Sequence, residues 1–168
     1  MFGGKILKET NMSFQQIIDK MPLLLEELNN YPMFKKSEIG NGQVTPPRQG
    51  IYVLFEEGKP IYVGRSNNIK QRMSGHSNQG SVRLSATFAF KLAIENYENK
   101  YQKTTKVIRR QDLETDTDFA ILFNEAKARV AEMGIKVVAI EDQITQTIFE
   151  VYAAMTLGTL KYNSFANH

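Results

Sequence analysis

Apolar and polar positions alternate along this chain with two different periods. Behind Ser13 and Gln16, a capping-box pair, an amphipathic pattern predicts a helix to about Asn30, with residues 1–12 as a loose or disordered lead. Pro32, Gly40, Gly42, Pro46 and Pro47 then predict a loop from Tyr31 to Gln49. Gly50 to Phe55 and Pro60 to Gly64 are rich in β-branched and aromatic residues and flank Glu56-Glu57-Gly58-Lys59, so they predict a hairpin. If Glu56-Glu57-Gly58 is a three-residue loop with Gly58 in the left-handed position of a bulge, Tyr52 lies opposite Tyr62 and both phenols share a face. A two- or four-residue loop pairs Tyr52 with Val63 instead and splits the phenols across the sheet.

Ser66, Asn67 and Asn68 offer N-caps for a helix from about Ile69 through His76, which puts Arg72 and His76 on one face as an i,i+4 pair. Helices are predicted over Ser85 to Asn99 and Asp118 to Met133, and the apolar run Ile135 to Ile140 suits a third, buried strand. Ile144, Ile148, Val151 and Met155 then form a helical stripe ending at Gly158, with Glu150 about 100° round from Val151 on its flank.

Composition narrows the picture. The 168 residues, 42% hydrophobic and 23% charged, suit one globular domain with a real core. The absence of cysteine excludes disulfides and thiolate metal sites, and no apolar run approaches the roughly 20 residues needed to span a bilayer. No signal-peptide pattern opens the chain, so a cytoplasmic protein with no membrane partner is expected. The net charge of +3 and a pI near 9.0 are compatible with a polyanionic partner without specifying one. A basic block, Lys100, Lys103, Lys106, Arg109 and Arg110, precedes the acids Asp112, Glu114, Asp116 and Asp118, and reads equally well as a nucleic-acid contact or a solvated loop.

The candidate chemistry gathers around the hairpin. Gly50-Ile51-Tyr52, then Tyr62-Val63-Gly64-Arg65-Ser66-Asn67-Asn68, Arg72 and His76 resemble the signature of the GIY-YIG nuclease superfamily, which includes homing endonucleases, the incision subunit of bacterial excision repair and some restriction enzymes. Glu150 in a helix after the third strand and Asn163 in Tyr162-Asn163-Ser164 extend the resemblance, and a valine stands for the middle isoleucine of the second triplet. The resemblance covers roughly residues 48–76 and 135–168, leaving 80–134 as a helical insertion in a nuclease-like domain of residues 50–168, preceded by an N-terminal helix and linker over 1–49.

The resemblance implies an α/β domain with a small, three-stranded, mainly antiparallel sheet flanked by helices. It implies metal-dependent endonucleolytic hydrolysis of DNA, leaving a 5′-phosphate and a 3′-hydroxyl. Arg72 would stabilise the charge that grows on the phosphate, because a guanidinium stays ionised and donates in a fork. Glu150 would hold one Mg2+, or Mn2+, with waters and phosphate oxygens completing its shell. Tyr52, Tyr62 and His76 are the candidates for handling the attacking water; the resemblance assigns Tyr52 as general base, His76 as proton relay and Tyr62 as an orienting group. Asn163 would scaffold the site or position phosphate, and Gly64 would let the backbone approach a helix or substrate closely. Lys59, Arg65, Lys70, Arg109, Arg110 and His168 are candidate contacts to the DNA backbone, and homodimerisation is one possible source of sequence preference. The competing expectation is a scaffold of the same type that binds nucleic acid or protein without cutting. If the nuclease reading holds, Glu150 should face Arg72 across a cleft.

Overall fold

The computed structural model describes residues 12–165, so most of the expected loose lead, and His168, lie outside the described residues. In chain order the elements are α1 (Phe14–Asn30), β1 (Phe34–Lys35), α2 (Lys36–Gly40), β2 (Gly50–Glu56), β3 (Lys59–Ser66), α3 (Ile69–Ser77), α4 (Thr87–Tyr101), α5 (Arg110–Leu113), α6 (Thr117–Ala131), β4 (Gly134–Ala139) and α7 (Gln143–Thr156). The capping box forms as expected: Gln16 N donates to Ser13 Oγ at 3.3 Å and Ser13 N donates to Gln16 Oε1 at 2.8 Å.

Four strands form one antiparallel sheet in the order β1-β4-β2-β3, rather than the three expected. The extra strand, Phe34–Lys35, is too short to show any period and lies with α2 in the stretch expected to be loop. Central β2 is buried on both faces. Tyr52 and Leu54 point with Ile135 and Val137 into a core built with α3, α4 and α6. Ile51 and Val53 point with Val63 and Val138 towards Met21 and Leu28 of α1 and Phe149 of α7. The helical segment between His76 and β4 therefore supplies core: Phe88, Leu92 and Phe119 are all within 1% of full burial. Each such side chain contributes about 1.5–3 kcal/mol by leaving water.

The hairpin turns differently from the expected register. Glu56 pairs with Lys59, so the loop has two residues, Glu57 and Gly58, with left-handed φ of 50° and 76°. Phe55 pairs with Pro60, but Leu54 pairs with Tyr62, leaving Ile61 as a bulge beside a proline that has no N–H to give. Tyr52 lies opposite Gly64, not Tyr62. The loop is one residue shorter than expected and the bulge one residue longer. The two changes add to a register shift of two residues, and because side chains alternate with period two the phenols still share a face, with ring centroids 6.3 Å apart.

Helix α7 also departs from its expected stripe. Ile144 and Met155 are 57% and 63% exposed, whereas Gln146, Phe149, Ala153 and Ala154 are buried. Small alanines let the helix lie close to the sheet, and hydrophobicity alone favours the larger residues on the wrong side. Glu150 follows the buried Phe149 directly and is only partly exposed.

Candidate active site

Tyr52 has no exposed surface, and its ring lies over the backbone of Gly64. A Cβ at position 64 would stand 2.3 Å from Cζ and Oη of Tyr52, so the close approach that this glycine permits is to the tyrosine, not to a helix or substrate. Asn68 caps α3 by accepting from Gln71 N at 3.1 Å, and one turn into the helix Arg72 and His76 both reach the same phenol. Arg72 Nε donates to Tyr52 Oη at 3.2 Å, and Oη lies 2.5 Å from His76 Nε2. An arginine only donates, so the phenol oxygen accepts from it, and with His76 as a neutral imidazole whose Nε2 accepts, the phenol donates its own hydrogen there. That assigns the His76 proton to Nδ1, which is buried with no hydrogen-bond partner among the described residues.

This arrangement fixes the charges. Burial, seconded by the Arg72 guanidinium, pushes His76 down to about 3, and burial pushes Tyr52 well above its ordinary value. At neutral pH the dyad is a phenol and a neutral imidazole beside one permanent cation.

Residues outside the expected set complete the pocket. Arg72 Nη1 donates to Ser85 O at 3.2 Å and Nη2 to Thr87 Oγ1 at 3.0 Å. Tyr62, half-buried, stacks on Phe88 with centroids 4.6 Å apart and an interplanar angle of 13°. Its phenol is raised by burial, with Arg72 opposing the shift. Thr87 and Phe88 open α4 and Ser85 lies just before its N-cap, where the sequence shows a helix beginning but nothing that ties it to Arg72. Beside Arg72 opens a cavity of about 580 Å³ lined by Asn67, Asn68, Gln71 and Ser85, with exposed Val82 and Leu84 also on its wall. A cavity of about 660 Å³ at the hairpin tip, between Met33, Phe55 and Arg129, contains none of the candidate residues.

Glu150 reaches the same region from α7. Its side chain is 17% exposed and forms an ion pair with Arg65, Nε to Oε2, at 3.0 Å. Arg65 Nη1 also donates to Thr147 Oγ1 at 2.7 Å, so this arginine, expected on DNA, is spent on α7. Burial raises the Glu150 carboxyl above the usual carboxylate range, while Arg65 and Arg72 pull it back. The Glu150 charge acts in turn on both phenols. Glu150 and Arg72 thus lie within electrostatic reach of each other.

Asn163 is buried and braces the outer edge of β3. It donates from Nδ2 to Val63 O at 2.6 Å, and its Oδ1 accepts from Val63 N at 3.0 Å and from Thr159 Oγ1 at 2.9 Å. With both polar atoms of its amide engaged on protein, its place is that of a scaffold. Lys59 stands exposed at the hairpin tip and Lys70 exposed on the first turn of α3. Arg109 is turned onto Asp112 at 2.7 Å, and Arg110 is exposed on α5.

A divalent cation fits one donor here. Among the described residues no three His, Cys, Asp or Glu side chains gather as a metal cage, so they form no closed all-protein site. One half-buried carboxylate at a cleft edge suits an ion that keeps most of its water and takes the rest of its shell from phosphate.

Residues 48–98 match the family model of the GIY-YIG catalytic domain, a span that takes in β2, β3, α3 and most of α4. The mixed α/β architecture, with its antiparallel sheet, is consistent with that fold. Comparison with curated proteins and with solved structures gave no match. No helix among the described residues is long and apolar enough to cross a membrane.

Proposed function

Taking the match of residues 48–98 to the GIY-YIG catalytic domain as premise, we propose that this protein is a metal-dependent endonuclease that hydrolyses phosphodiester bonds in DNA. The observation that carries this reading is the convergence of Tyr52, Arg72 and His76 on one phenol oxygen, with Glu150 in electrostatic reach. A buried phenol–imidazole pair held beside a guanidinium supports the catalytic reading over the scaffold one.

Arg72 donates to Tyr52, Ser85 and Thr87, and its guanidinium also acts on the Tyr62 phenol, so a phosphate entering beside Tyr62 meets a fixed positive charge. That charge opposes the negative charge that grows on the nonbridging oxygens during attack. A cation bound at Glu150 would supply Lewis-acid stabilisation of those oxygens and of the departing one. Tyr52 is too strongly protonated to act as a free phenolate. It works instead as a relay, taking a proton from the attacking water at Oη while passing its own to His76 Nε2, whose low resting proton affinity rises once the negative charge of the phosphate lies beside it. Water reaches Oη when Arg72 turns from the phenol towards the phosphate. Tyr62, held flat by Phe88, orients the incoming phosphate, and the departing 3′ oxygen takes its proton from solvent.

Incubation of wild type, Arg72→Ala and Glu150→Gln with supercoiled, linear, branched and single-stranded DNA, with Mg2+ or Mn2+, tests this. The wild type should nick at least one substrate and leave 5′-phosphates. Each variant, folded by circular dichroism, should lose about 100-fold or more in rate. Cutting that persists in EDTA, or undiminished cutting by Glu150→Gln, overturns the mechanism; tight DNA binding with no cutting by the wild type favours the scaffold reading.

A further inference from the structure

Arg65 stands next to Gly64 in β3 and opposite Ile51, which puts it on the sheet face covered by α7. From there it meets two residues one turn apart on α7, Thr147 and Glu150. The pair is lopsided: the arginine side chain is 44% exposed and the glutamate 17%. Beside it lies a small cavity of about 240 Å³ lined by Arg65, Ser66, Asn67, Gln143 and Gln146, which gives the guanidinium somewhere to go. A guanidinium on Oε2 and a divalent cation on the same carboxylate are like charges a few ångströms apart, and each weakens the other's hold on it.

We infer that Arg65 is a positioning residue that holds Glu150 as a displaceable counter-ion, so that a divalent cation must compete with it to bind. This rests on the reading of Glu150 as the metal ligand. The side chain that moves is the more exposed one, so its release costs little, while the carboxylate stays in place. Removing Arg65 therefore favours the cation, because the ion no longer has a competitor. A purely structural ion pair would give the opposite sign, since a Glu150 set loose from Arg65 would hold the ion less well.

Titration of the full chain with Mn2+ alone, without DNA, followed by calorimetry and by the loss of free-ion electron paramagnetic resonance signal, reads this directly. Arg65→Ala should bind Mn2+ about fivefold tighter than wild type, in line with the modest strength of a half-exposed pair. Thr147→Val, which frees only the second anchor of Arg65, should tighten binding about twofold and guards against misfolding of the first variant. Equal or weaker binding by both variants overturns the inference. Glu150→Gln distinguishes the premise: if it binds Mn2+ like wild type, the metal-ligand reading fails, whereas if it abolishes binding and Arg65→Ala changes nothing, only the counter-ion role fails.

Discussion

A methyl group at position 64 would sit 2.3 Å from Cζ and Oη of Tyr52, well inside contact distance and against a ring that is itself fully buried. The glycine is needed for space, since its backbone is not among those with positive φ. Gly64→Ala should therefore displace the ring from His76 and Arg72. The expected result is a loss of about 1–3 kcal/mol in urea unfolding and a fall of about 100-fold in nicking rate with little change in DNA affinity. An alanine variant with wild-type rate would mean that the Tyr52 ring is free to move without consequence. At this scale the motif spacing made Tyr52, Arg72 and His76 legible, because local periodicity suffices to place an i,i+4 pair. Ser85 and Thr87 were not legible. Their hydrogen bonds to Arg72 exist only once α4 has packed against α3, and no local pattern encodes that packing.

Elements explain why the site has its shape. Edge strand β3 shows Val63 N–H and C=O outward, and the Asn163 amide satisfies both as a neighbouring strand would. Asn163→Ala leaves these two groups without partners, at an expected cost of about 2–3 kcal/mol. Hydrogen exchange at the Val63 amide should speed up more than at Val53 in central β2, and equal acceleration of both would mean general destabilisation rather than a lost brace. The hairpin, α3 and β4 were readable as elements from composition and caps. The turn was not: Glu57-Gly58 and Glu56-Glu57-Gly58 suit two loops that differ by one residue, and the Ile61 bulge that reconciles them follows from pairing with β2. The face of α7 was misjudged for a related reason, since the close approach depends on Ala153 and Ala154, whose hydrophobicity is too small to mark a stripe.

In the whole molecule the sheet lies between two helical layers, α1 with α7 and α3 with α4 and α6, and the dyad lies within the second. Its burial reaches the stability of the entire fold. Folded His76 titrates near 3, far below the ordinary 6.5, so as pH falls the unfolded chain takes up a proton that the folded chain refuses. Stability from this group is complete above about pH 6.5 and is lost as pH falls towards 3, with unfolding free energy about 2 kcal/mol lower at pH 5 than at pH 7. His76→Gln should flatten the slope between pH 5 and 6.5, where carboxylates contribute least, and an unchanged slope would show that the imidazole is not the group responsible. The layered plan itself was only partly legible, because α1 read as a leading helix while its Met21 and Leu28 close the core beneath β2. The brace on β3 also has a meaning in time. Val63 waits for an amide 100 positions further along the chain. During synthesis, the strand that carries Tyr62 and Gly64 is exposed on the ribosome with its outer edge open until residue 163 emerges. The nascent chain thus lacks a braced β3 edge until nearly all of the described protein has been made.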